Sequence, residues 1–111
     1  MRTSPISQVD IEQELIRLVE RLEVQTEQFE TLAMDCAKKE ALYKSNWAKE
    51  YLSAKGSIKE RESWADYKMD QQSFEYKCAE ALVKSKRESL YSIRTSIDAI
   101  RTLNANVRTQ V

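Results

Sequence analysis

Apolar residues recur along the first half of the chain at intervals of seven. Leu15, Leu22, Phe29, Cys36 and Tyr43 form one row, and Ile11, Leu18, Gln25 and Leu32 form the other. Alternating steps of three and four make a heptad seam, which predicts a long helix packed along a second one. Beyond Tyr43 the steps become four and four, to Trp47 and Tyr51, which relaxes the supercoil locally. The second half repeats the pattern. One row is Met69, Tyr76, Val83, Leu90, Ile97, Asn104 and Val111, and the other is Ala65, Gln72, Ala79, Lys86, Ile93, Ile100 and Val107.

Between the two patterned halves stands the one credible break, Ser53-Ala54-Lys55-Gly56-Ser57. Gly56 takes a positive φ without steric cost, which suits the residue that follows a helix C-terminus. Ser57 followed three residues later by Glu60 reads as a capping box for the next helix. At the other end Ser4-Pro5 precedes the first periodic segment, and Ser7 and Asp10 supply an N-cap and an anionic first turn. The expectation is therefore one all-α domain over residues 1–111, an antiparallel two-helix hairpin of coiled-coil-like helices. Helix one covers about 7–54, the turn 55–57 and helix two about 58–108, with no breaker after Gly56.

Charge sharpens this picture. The 18 basic and 18 acidic residues cancel in total, but they fall into four blocks. The net charge is −5 over residues 1–35, +4 over 36–61, −3 over 62–80 and +4 over 81–111. Folding back at Gly56 lays each block beside one of opposite sign. A single exposed pair is worth only about 0.2–1 kcal/mol, but together the blocks disfavour a parallel arrangement. One Gly and one Pro in 111 residues are too few for the turns of a sandwich or a barrel.

Two helices alone enclose little interior. Ile16, Val19 and Val24 flank the first seam and Leu82 lies outside the second, so the hairpin is expected to form a helical homo-oligomer that covers them. Asn104, on a seam position, either selects register or oligomer number or sits harmlessly at a frayed end. No apolar run is long enough for a membrane span or the core of a signal peptide, and the expected location is the cytoplasm. Cys36 and Cys78 lack metal spacing and are expected to be reduced thiols. The chain has no His, which removes imidazole catalysis and His-ligated metals. Neither a Gly-rich phosphate loop nor a nucleophile elbow occurs. The expectation is a protein that is not an enzyme, with no catalytic residues, metal or cofactor.

Two features could bind a partner. Arg87, Arg94, Arg101 and Arg108 stand seven apart in one stripe beside the second seam, and the matching flank of helix one reads Glu12, Val19, Thr26 and Ala33. Arginine forks at that spacing suit successive phosphates or the carboxylates of a neighbouring subunit, and the spacing alone does not choose. The second feature surrounds the turn. Seven of the nine aromatic residues fall between positions 43 and 76, interleaved with Lys44, Lys49, Lys55, Lys59, Arg61 and Lys68. Single-stranded nucleic acid is held by this combination, because cations track phosphates while aromatic faces stack bases. Tyr43 and Trp47 share the core face and read first as packing residues, whereas Trp64 and Tyr67 flank the seam at Ala65.

The segment Leu42-Tyr43-Lys44-Ser45-Asn46-Trp47, with Ser53-Ala54-Lys55-Gly56-Ser57-Ile58-Lys59-Glu60-Arg61 after it, resembles phage recombination mediators of the UvsY-like family. Residues 79–103, with Ile97-Asp98-Ala99-Ile100-Arg101, are similar to phage members of that group, and the resemblance covers roughly residues 40–108. It implies an oligomeric helical protein that binds single-stranded DNA and helps a recombinase displace single-strand binding protein, in the host cytoplasm. The matching basic positions are Lys55, Lys59 and Arg61. The chain departs from the family in lacking the Tyr-Tyr-Ser-Gly element that follows the basic helix, so nothing is inferred from that element.

The sequence thus points to a single-stranded DNA-binding mediator. Lys55, Lys59, Arg61, Arg87, Arg94, Arg101 and Arg108 would contact phosphates, and Trp47, Trp64 and Tyr67 would stack on bases. The alternative is a structural or adaptor coiled coil acting through protein–protein contacts alone.

Overall fold

A computed structural model describes residues 7–109. They are 94% helical, with three helices and no strand. The helices are α1, Gln8–Ser53; α2, Ile58–Lys68; and α3, Asp70–Thr109. Ser4-Pro5 and Val111 lie outside the described residues.

Both capping signals act as the residue types require. Asp10 N–H donates to Ser7 Oγ at 3.1 Å, and Ser7 Oγ donates to the Asp10 carboxylate at 2.8 Å. At α2, Glu60 N–H donates to Ser57 Oγ at 3.2 Å and Ser57 Oγ donates to Glu60 Oε1 at 3.1 Å. Each box satisfies amide donors that the first helical turn leaves without partners. α1 ends at Ser53, one residue before the expected limit, so Gly56 stands further past the helix end than a residue directly following the cap. Its φ is +116°, a conformation that a side chain disfavours. A Cβ built there would come within 2.7 Å of Glu60 Oε2.

The expected second helix is two. Met69 takes φ −102° and ψ 14°, far from the helical ψ near −42°. Hydrogen bonds of helical type persist on either side, Met69 N–H to Ala65 O at 2.9 Å and Ser73 N–H to Met69 O at 2.8 Å. No Gly or Pro announces this break. It falls between the residues that meet Trp47 and Tyr43, where α1 changes its apolar spacing from sevens to fours, so the two sides adjust at the same level.

The described residues divide into two compact units, one built from 7–28 with 86–109 and the other from 29–85. In the first, Leu18, Ile93 and Ile97 form a buried cluster against which Leu15, Leu22 and Ile100 pack. Lys86 Nζ donates to Gln25 Oε1 at 2.7 Å and to Gln28 Oε1 at 2.8 Å. Contacts in this unit therefore pair rising numbers in α1 with falling numbers in α3. In the second unit, the Arg61 guanidinium donates to Ala54 O at 3.0 Å, and Ala65, Met69 and Ala79 are buried.

The seam positions read from the sequence are the shielded ones: Ile11, Leu18, Ala65, Met69, Ala79, Leu90, Ile93 and Ile97 are buried. Ala65 is fully enclosed, whereas every large apolar side chain among the described residues keeps some exposure. Gln72 Oε1 and Asn104 Oδ1 are shielded from water without a hydrogen bond. Cys36 is half-buried, Cys78 is exposed, and both are free thiols. None of the helices is long and apolar enough, among the described residues, to cross a membrane.

Candidate nucleic-acid interface

The turn between α1 and α2 gathers an aromatic and cationic surface. Trp47 and Tyr51, one helical turn apart on α1, stack with ring centroids 5.5 Å apart and planes 11° from parallel. Arg61 of α2 lies over the Tyr51 ring, 5.4 Å from its centroid, while donating to Ala54 O. Cation and backbone carbonyl together close the turn. Two indole–carboxylate bonds tie α1 to α2: Trp47 Nε1 donates to Asp66 at 2.9 Å and Trp64 Nε1 donates to Glu50 at 3.1 Å. One indole comes from each helix, and the two bonds fix the register.

These contacts sort the expected stacking residues. Trp47 is half-buried, with one face on Tyr51 and its N–H committed, so it is a packing residue. Trp64 is 44% exposed and Tyr67 is 70% exposed. Their centroids lie 6.2 Å apart with planes tilted by 45°. Lys68 Nζ sits 5.0 Å from the centre of the Trp64 ring. Lys55 and Lys59 are exposed around Gly56, whereas Arg61 is half-buried. A cleft of about 460 Å³ is lined by Lys55, Trp64, Glu50 and Glu60, with Ser53 and Ala54.

Lys68, one of the cations that the sequence interleaves with the aromatics, completes this surface, although it is not among the residues expected from the sequence to contact phosphates. The signal was present: an aromatic residue followed by a cation four positions later on a helix faces it. The arginine stripe belongs to a different set. Arg87, Arg94, Arg101 and Arg108 are exposed on α3, in the unit built from the two ends of the chain, whereas the turn residues lie in the 29–85 unit. Arg101 pairs with Asp98 at 3.9 Å.

Charge across the seam of the 29–85 unit acts at longer range than direct pairing. Lys44 donates to Glu40 at 2.7 Å and Lys39 pairs with Asp35 at 3.0 Å, both along α1. These carboxylates raise the two lysine pKa values above their ordinary range, and Glu75 and Glu80 of α3 add to the effect. Lys44 in turn holds the Glu40 carboxyl below its usual value. Tyr76, whose ring lies 6.0 Å from that of Tyr43, donates to Glu80 at 2.8 Å. That bond, with desolvation and the Glu40 charge behind it, pushes the phenol up to about 12.

Among the described residues no group of three or more His, Cys, Asp or Glu is arranged to hold a metal ion. Comparisons with protein-family models, with curated proteins and with solved structures give no match to this chain.

Proposed function

We propose that the turn region binds single-stranded DNA and that the protein acts, without catalysis or a cofactor, as a recombination mediator. The observation that carries this reading is the exposed Trp64 and Tyr67 pair with the Lys68 ammonium over the indole. A base stacks on Tyr67 or on the open part of Trp64, and Lys68, Lys55 and Lys59 neutralise the flanking phosphates. Base–aromatic stacking contributes about 1–3 kcal/mol per base and tolerates any sequence. The UvsY-like resemblance supports the same role and adds a recombinase and single-strand binding protein as partners. In this reading the two chain halves form one antiparallel hairpin and several hairpins assemble, concentrating the lysines of a chain whose net charge is zero.

The test is a mobility-shift titration with oligo-dT at about 50 mM and about 300 mM salt, since counterion release makes phosphate binding fall steeply with ionic strength. Binding at the lower concentration, weakened at the higher and lost in Trp64→Ala/Tyr67→Ala, is expected. No shift at either concentration overturns the reading.

A second reading, an adaptor coiled coil, is favoured by the apolar side chains left exposed along both long helices, among them Ile16, Met34, Leu42, Leu82 and Tyr91. It requires a stable complex with another protein and no affinity for oligo-dT.

A further inference from the structure

We infer that the flank of the terminal unit carrying Arg94 and Arg101 is a self-association face, and that its occupant is a second copy of this chain. The inference rests on the self-association proposed above, and adds which surface is used and how the two copies are oriented.

Two lanes run side by side on this flank. On α1, Val9 and Ile16 are 60% and 58% exposed, Val19 is also open, and Glu12 and Glu23 lie between and beyond them, exposed to solvent. On α3 the neighbouring lane is Tyr91, Arg94, Asp98, Arg101 and Arg108, all exposed. The burial of Leu18, Ile93 and Ile97 together and the reach of Lys86 to Gln25 fix which sides of the two helices are adjacent. In an antiparallel pair the flanks that meet are equivalent heptad positions, which puts Glu12 and Val19 on the arginine side of the seam. One lane is therefore acidic and apolar, and the other is basic.

Two copies can close face to face about a two-fold axis in two ways. An axis perpendicular to the helices lays each lane on its own equivalent, glutamate on glutamate and arginine on arginine. An axis parallel to the helices lays each lane on the other. Glu12 then meets Arg101 of the second copy, Glu23 comes near its Tyr91 and Arg87, and Val19 lies beside the aliphatic stem of its Arg94. Ile16 meets the level of Asp98, whose carboxylate already pairs with Arg101. Charge complementarity selects the parallel axis, because like charges placed opposite one another are strongly disfavoured at an interface. Closed two-fold symmetry also covers Val9, Ile16 and Val19 of both copies in one step. The stripe thus serves a neighbouring subunit's carboxylates, leaving phosphate contacts to the lysines at the turn.

Sedimentation equilibrium on the full chain, without nucleic acid, tests this. The wild type is expected to associate. Arg94→Glu/Arg101→Glu and Glu12→Arg/Glu23→Arg should each lower the association constant by more than about tenfold, with wild-type helicity by circular dichroism. An equimolar mixture of the two variants should associate again, since each lane then meets its opposite. Cross-linking supplies a measurement that does not alter the arginines. In chains with Cys36→Ser and Cys78→Ser, Ile16→Cys should couple to Asp98→Cys on the other copy. A wild type that stays monomeric, association undiminished in both variants, failure of the mixture to re-associate, or coupling only between two Ile16→Cys chains would each overturn the assignment. None of these readouts involves oligo-dT, so failure here is distinct from failure of DNA binding.

Discussion

Trp47 of α1 donates its indole hydrogen to the carboxylate of Asp66 in α2 at 2.9 Å. Trp64 returns the same kind of bond to Glu50. A hydrogen bond to a charged acceptor contributes about 1.5–3 kcal/mol in general, with exposed examples at the low end. Trp47→Phe keeps a ring against Tyr51 but loses the donor, and should destabilise the protein by about 1–2 kcal/mol in urea unfolding. Asp66→Asn, which keeps an acceptor oxygen, should cost less than Asp66→Ala.

The turn tolerates little change. Gly56→Ala places a methyl group in the left-handed region and against the Glu60 carboxylate that completes the α2 cap. The expected loss is about 1–3 kcal/mol, read as a lower midpoint in urea. Ser57→Ala removes only the cap and should cost about 1 kcal/mol.

Lys86 occupies a seam position and bonds to Gln25 and Gln28. Polar residues in such a seam specify register at the expense of stability. Lys86→Leu with Gln25→Leu should raise the melting temperature by several degrees, about 1 kcal/mol or more. Gln25→Leu alone should lower it, because the ammonium loses an acceptor. Thermal melts followed by circular dichroism at 222 nm distinguish the two outcomes.

Stability should decline at both extremes of pH. Glu14, held below its usual value by hydrogen bonding to Arg17, and Glu40 favour the folded state once ionised. Their contribution is present above the ordinary carboxyl value of 4.5 and is lost as pH falls through their lower folded values. Lys39, Lys44 and Tyr76 are raised in the fold, so their contribution is present below their ordinary values and disappears as pH rises. For Tyr76 the window runs from 10.0 to about 12. Absorbance titration at 295 nm, compared with Tyr76→Phe, should locate the missing tyrosinate step near the upper end of that window.

Much of the fold was legible because heptad spacing and caps are local signals. Every described residue that is buried stands in one of the seam rows, and Ser7, Asp10, Ser57 and Glu60 do what their spacing required. Met69 was not legible, since the residue itself permits a helix and no Gly or Pro stands beside the interruption. The aromatic surface at the turn was legible as composition, whereas its division into packed Trp47 and open Trp64 and Tyr67 depends on which ring finds a neighbour. Lys68 is legible as one of the cations around the turn, but its place over the Trp64 ring depends on the rotamers the two side chains take.

Both tryptophans of the chain lie beside the turn, within one compact unit and each tethered to a carboxylate. Intrinsic emission therefore reports on that locality alone. An oligonucleotide settling over Trp64 should quench it, whereas docking through the Arg94 side should leave the spectrum unchanged. The molecule carries its own label for telling one event from the other.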